Sequence, residues 1–364
     1  EPQPKPAEVA KVVDWITAQM VRAELVKRDT AIVLRRLNRD EYRNTIRDLI
    51  GLDYDVSAFP LDPASGGFDN NGRALTVSPM HTELYVETAR RILDRALVEG
   101  EQPRGVKWRF QPEEGEGDDH RIQLEGQHPI VHGAKNEKRG EFTVMHHNSW
   151  DRVPNARDFA MPTEGEYIIR VRAGGRVPNR AEVVASAKKA LESRLEKQMK
   201  ENAKGERWHK ESFANDLKHF ETDRMYDYGP PRLRLIQDLG GQPKVIAEWD
   251  VDAPANDPKV YEFRARFTTE KAGLRLEYAY SIPSVLENFW FQGHDVFARP
   301  EAYLDWFEIE GPAYASWPPP SHKKLLPDSP LAKSDARAYA REALAKFMRQ
   351  AYRRPVTSEE ISGK

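Results

Sequence analysis

The sequence contains no cysteine, which excludes disulfides, thiolate metal centres, iron–sulfur clusters and covalently attached c-type haem within its 364 residues. It also lacks any apolar run approaching the ~18 residues of a membrane-spanning helix. A basic excess is missing too. Lys and Arg number 56 against 58 Asp and Glu, a net charge of −2 that argues against a nucleic-acid binder. No Gly-x-Ser-x-Gly, His-Glu-x-x-His or phosphate-loop pattern occurs, so no catalytic motif stands on its own. The opening Glu-Pro-Gln-Pro-Lys-Pro has neither the charged nor the apolar segment of a secretory signal. What is present is an ordinary polar-surfaced composition, 39% hydrophobic and 31% charged, long enough for two or three cored domains.

The first hundred residues read as helices. Val9, Val12, Val13, Ile16 and Met20 recur at helical spacing between Pro6 and about Lys27. Asn38 with Glu41 three positions on is a capping box, opening a helix whose apolar face is Tyr42, Ile46, Leu49 and Ile50 and whose stop is Gly51. Ser78-Pro79 opens a third helix, with Met80, Leu84, Thr88, Ile92 and Ala96 on one side. Beyond about residue 105 the period changes to two. Tyr167, Ile169, Val171 and Ala173 alternate with charged residues, and similar alternation recurs around 233–235, 245–249, 261–267, 274–280 and 303–309. With segments near Ile122/Leu124 and Phe142/Val144 this makes about eight strands. The expected fold class is therefore α+β multidomain: a small helical domain followed by an antiparallel, jelly-roll-like β-sandwich.

Residues 179–221 interrupt the strands with an Ala-, Glu- and Lys-rich helical hairpin, read as covering a sheet edge or docking a partner. Pro318-Pro319-Pro320 marks a linker, after which a helix runs to Tyr352. The domain boundaries expected are 1–28 for a trailing helix, 29–102 for a helical domain, 105–315 for the sandwich and 321–364 for the start of a further helical domain.

Three stretches carry a family resemblance. Arg35-Arg36-Leu37-Asn38-Arg39-Asp40-Glu41-Tyr42-Arg43-Asn44-Thr45-Ile46-Arg47-Asp48-Leu49, with Gly66-Gly67-Phe68-Asp69-Asn70, resembles the signature of a domain of unknown function. That domain occurs in planctomycete-type multidomain cytochrome c proteins. Ala351-Tyr352-Arg353-Arg354-Pro355-Val356-Thr357 with Glu359-Glu360 resembles the opening of another such domain. Val9 to Met20 is similar to the last helix of the cytochrome domain that precedes them. The resemblance implies an exported, periplasmic protein whose electron-transfer centre lies outside this chain. Without Cys-x-x-Cys-His, haem function attaches to no residue here. Tyr303-Leu304-Asp305-Trp306-Phe307-Glu308-Ile309-Glu310-Gly311-Pro312 is similar to the closing strand of calcium-binding carbohydrate-binding jelly rolls.

Candidate site residues follow from residue chemistry. Phe289, Trp290, Phe291, His294 and Asp295 combine aromatic faces with polar groups, a combination that suits sugar rings; closure of the sandwich end is the alternative. Strand parity puts Asp305 on the face of Phe307 and Ile309, where a buried carboxylate needs a partner. With Glu114, Glu116 and Asp118 of the acidic entry loop it would offer hard oxygen ligands to calcium; pairing with Arg is the alternative. His120, His128, His132, His146 and His147 crowd one region without a metal-ligand spacing. Arg35, Arg36, Arg39 and Arg43 are candidate contacts for an acidic partner, or else intramolecular ion pairs. The leading expectation is a non-catalytic, polysaccharide-binding and scaffolding segment of an exported cytochrome-type protein. The alternatives are an assembly module docking redox partner domains, and a piece of an enzyme for glycan hydrolysis or oxidoreduction.

Overall fold

The structure, a computed structural model, describes residues 6–27, 35–62, 75–113, 119–133, 137–146, 153–280 and 297–363. The chain forms two compact units, one built from residues 1–100 and 316–364, the other from residues 101–315.

The first unit contains α1 (Pro6–Lys27), α2 (Arg39–Ile50) and α3 (Pro79–Ala96), of which α2 and α3 begin at the side-chain caps Asn38 and Ser78. The Asn38 side chain accepts the Glu41 N–H, the Glu41 carboxylate accepts the Asn38 N–H, and Gly51 closes α2 in the left-handed region at φ 85°. The cluster of Ile46, Ile50, Tyr54, Val56, Phe59, Ile92 and Ala96 is the core of this unit. Leu325 and Phe347, from the stretch that sequence alone sets apart as a further module, pack on the same cluster. The α1 stripe Val9, Val12, Val13, Ile16 and Met20 is exposed, as is Trp15.

The second unit is an antiparallel, jelly-roll-like β-sandwich. Its strands are β1 (Val106–Phe110), β2 (Asp119–Arg121), β3 (Ile130–His132), β4 (Glu137–Arg139), β5 (Phe142–Met145), β6 (Asn155–Ala160), β7 (Gly165–Arg176), β8 (Arg232–Leu239), β9 (Gln242–Asp250), β10 (Lys259–Phe267), β11 (Lys271–Tyr278) and β12 (Glu301–Gly311). One sheet runs β10-β7-β12-β5-β4, with β1 also paired to β12; the other runs β2-β3-β6-β11-β8-β9. β5 covers the first half of one edge of β12 and β1 the second half. Between the sheets lie Trp108, Phe110, Phe159, Tyr167, Ile169, Val171, Leu235, Phe267, Leu274, Leu276, Leu304, Phe307 and Ile309.

Four strands escape the sequence reading: β1, β3, β4 and β6. The last is broken in pattern, because its pairing with β11 slips between Ala272 and Gly273 and Asp158 takes φ 68°. The helical insertion is α4 (Arg180–Glu201) and α5 (Glu206–Thr222), between β7 and β8. Val183, Ala187 and Leu191 pack against Phe220, Tyr226 and Phe297. Buried Asp216 is paired with Arg194. The apolar stripe of the hairpin is therefore turned inward, and Trp208 is its large exposed ring.

Candidate binding site

The sequence-derived candidates divide into those the structure describes and those it does not. Phe289, Trp290, Phe291, His294 and Asp295 lie outside the described residues, as do Glu114, Glu116, Asp118, His147 and Gly66-Gly67-Phe68-Asp69-Asn70. The described arginines are engaged within their own unit. Arg35 pairs with Glu41, Arg36 with Asp62 in a buried bridge, and Arg43 with Asp53, while Arg39 donates to the Val56 carbonyl at 3.1–3.2 Å. The Arg35 guanidinium and the Asn38 N–H together hold the Glu41 carboxyl down at about 2. His132 meets Asp119 at 2.9 Å, and Arg157 engages the same carboxylate. Among the described residues no three His, Asp or Glu side chains converge as a metal cage.

Asp305 requires a correction to the strand-parity reading. The pairing of β12 with β7 slips between Leu304 and Trp306: Leu304 faces Ala173, Trp306 faces Arg172, and Asp305 is the extra residue. This is a β-bulge, and it reverses the in–out alternation. Leu304 before it and Phe307 and Ile309 after it all point into the core, although 304 and 307 have opposite parity. Asp305 instead turns to the outward face, where its carboxylate accepts from Arg172 Nη1. It is nevertheless buried, with a side chain 6% exposed. Burial pushes its pKa up, against the downward pull of Arg172 and Arg109 and with a further upward push from Glu141.

The bulge organises the outward face of this sheet. The register aligns Glu262 of β10, Arg170 of β7, Glu308 of β12 and Arg109 of β1 in one row of alternating charge across four strands. Arg170 Nε donates to Glu262 at 3.0 Å and its Nη1 to Glu308 at 3.3 Å; Arg109 donates to Glu308 at 2.8 Å. Lys107 reaches Glu308 at 3.1 Å and Glu310 at 3.6 Å, and Arg170 also bonds Glu310. Glu308 is 2% exposed beneath these three cations. Burial alone would raise its pKa, but hydrogen bonds from Arg109 and Lys107 and their charges hold it below the ordinary range. Glu310 is also lowered, chiefly by its hydrogen bond from Arg170.

One aromatic stands in this field. The Arg109 guanidinium lies 4.1 Å from the centroid of the Trp306 ring, so the indole is held by a cation–π contact beside the Arg172–Asp305 pair. Further along the face, Tyr303 meets Phe142 edge-on at 5.9 Å and Arg139 bonds both Tyr303 and Glu301. The sequence reading missed Trp306, Arg109, Arg170, Arg172 and Glu308 as a group. The available signal was the Lys107-Trp108-Arg109 and Arg170-Val171-Arg172 alternation, which marks these cations as outward. A neighbourhood spanning residues 107 to 310 requires the strand order, which no local pattern supplies.

Comparison with known proteins gives three results. A family model described as "Protein of unknown function (DUF1587)" matches residues 35–98, the segment that carries the capping box and α3. No curated protein matches. Among solved structures, the C-terminal CBM6 of LamC, a marine laminarinase from Zobellia galactanivorans, aligns at 9% identity over 57% of this chain and 100% of its own, with a TM-score of 0.22. A family 35 carbohydrate binding module from Clostridium thermocellum aligns at 8% identity over 56% of this chain and 98% of its own, with a TM-score of 0.24. The carbohydrate binding module CBM6cm-2 of Cellvibrio mixtus lichenase 5A, in complex with cellotriose, aligns at 8% identity over 56% and 96%, with a TM-score of 0.20. No residue role is carried over from these structures.

Proposed function

We propose that the sandwich is a non-catalytic polysaccharide-binding unit and that its binding surface is the outward face of the β10-β7-β12 sheet around Trp306. The supporting observation is the bulge at Asp305, which sets an indole beside an immobilised set of hydrogen-bonding charges. A sugar ring presents an apolar C–H face and a rim of hydroxyls. An aromatic face serves the first, and carboxylate and guanidinium groups already fixed by one another serve the second at low ordering cost. The aromatic run Phe289-Trp290-Phe291 with His294 and Asp295 belongs to the same proposal as a second contact region. The proposal extends, through the resemblance around Arg35–Leu49, to a segment of an exported, periplasmic cytochrome-type protein with its redox partner domain elsewhere. Calcium at Asp305 would require the ion to replace the Arg172 guanidinium, so the ion pair is the favoured partner at that carboxylate.

The test is calorimetric binding of the full chain to a panel of soluble polysaccharides, with calcium and with EDTA, for the wild type, Trp306→Ala and Trp290→Ala. Binding lost in Trp306→Ala supports the sheet face. Loss confined to Trp290→Ala moves the site to the 289–295 run, and sensitivity to EDTA restores the calcium reading. Absence of binding to every polymer refutes the proposal.

A further inference from the structure

The sheet face has the chemistry to discriminate between classes of polysaccharide. Resting on the proposed glycan-binding reading, we infer that this site takes neutral polysaccharide and rejects polyuronates and other polyanionic chains. The observation is the balance of charge on the face. Lys107, Arg109, Arg170 and Arg172 surround Trp306 and Glu308, and each has a carboxylate partner among Glu262, Asp305, Glu308, Glu310 and Glu141. Four cations stand against five carboxylates around the indole and Glu308, and the further outward cation of β10, Arg264, lies two positions beyond Glu262, across from Ile168.

A uronate would need one of these guanidinium groups for itself. The two most central carboxylates cannot be displaced cheaply, because Glu308 and Asp305 are 2% and 6% exposed and would each be left buried without a counter-charge. The exposed carboxylates Glu262 and Glu310, at 50% and 42%, repel an incoming anion. A hydroxyl meets none of these penalties. It donates to a carboxylate oxygen or accepts from a guanidinium N–H while the ion pair stays in place. Recognition of this kind uses groups that are already paired, so its affinity holds as ionic strength rises, whereas binding of a polyanion through cations would weaken.

The test measures retention of the full chain in affinity electrophoresis on laminarin, hydroxyethylcellulose and polygalacturonate, at low and at high salt. The expected result is retention on at least one neutral polymer that changes less than about twofold with salt, and none on polygalacturonate. Salt-sensitive retention on polygalacturonate with none on the neutral polymers would overturn the inference while leaving the glycan-binding reading standing. Retention on none of the three would overturn both.

A second variant tests the charge balance itself. In the Glu262→Gln/Glu310→Gln double variant the face has four cations and three carboxylates, and polygalacturonate retention should appear and fall off with salt. Both side chains are exposed, so a folding defect is not expected, and circular dichroism checks that directly. No gain in the folded variant would contradict the inference.

Discussion

The outward faces of the two sheets use the same residue types to opposite effect. On the second sheet, Arg232 pairs with Asp250 and Arg234 with Glu248 and Glu277, all cross-strand neighbours with side chains 27–42% exposed. On the first sheet the same kinds of pairs close over two carboxylates, leaving Glu308 and Asp305 almost inaccessible. The difference comes from the number of cations per acid and from the bulge. Glu308 has a cation directly across from it on both neighbouring strands, Arg170 and Arg109, with Lys107 two residues further along β1. Glu248 sits on β9, the last strand of its sheet, with a neighbour on one side only. Charge is thus solvated throughout on one face, while on the other exposed cations seal two buried carboxylates.

Substitutions should separate the two faces. Glu308→Ala removes the buried carboxylate that Lys107, Arg109 and Arg170 share and should destabilise the sandwich by about 1.5–3 kcal/mol, whereas Glu248→Ala on the second sheet should stay within about 0.5–1 kcal/mol. Urea unfolding of both variants reads the difference, and equal costs would show that the first face is as solvated as the second.

A reference outside the sandwich is Asn38→Ala in the helical unit. It removes the capping box of α2 and should cost about 1 kcal/mol. The same box gives an acid signature. Because folding lowers Glu41 to about 2, its contribution is full above the unfolded value of ~4.3 and is lost as pH falls from there toward 2. Glu41→Gln should flatten that loss in an acid denaturation series.

A finer prediction concerns the two buried carboxylates of the first face, whose pKa values move in opposite directions. Glu308 is lowered on folding, so its contribution exists above its unfolded pKa and disappears on acidification through the folded one. Asp305 is raised, so its contribution is present below its unfolded pKa and is lost as pH climbs through the folded one. The cost of Glu308→Gln should therefore grow between about pH 3 and pH 7, while that of Asp305→Asn should shrink over the same interval. Urea unfolding at each end of that interval measures both. Parallel trends would contradict the assignment of burial as the dominant influence on Asp305.

Much of this architecture is legible in residue order. The capping box at Asn38 and Glu41 and the two-residue alternation from Tyr167 to Ala173 rest on local rules, and local rules suffice where an element keeps one period. The bulge defeats them. Counting by twos from Ile309 assigns Asp305 to the core, because nothing in Leu304-Asp305-Trp306 announces that one residue will be skipped. The candidate site fails for a related reason. Trp306 is a single tryptophan in a strand until the strand order brings Arg109 and Arg172 to it from distant parts of the sequence.

If one outward face binds sugar and the other does not, a calorimetric titration with a neutral polysaccharide that retains the chain in affinity electrophoresis should tell them apart. The proteins to compare are the wild type, Trp306→Ala on the first sheet and Arg234→Ala on the second. Binding should survive Arg234→Ala and be abolished by Trp306→Ala. Binding that persists unchanged in Trp306→Ala would overturn the assignment of the site to the first face.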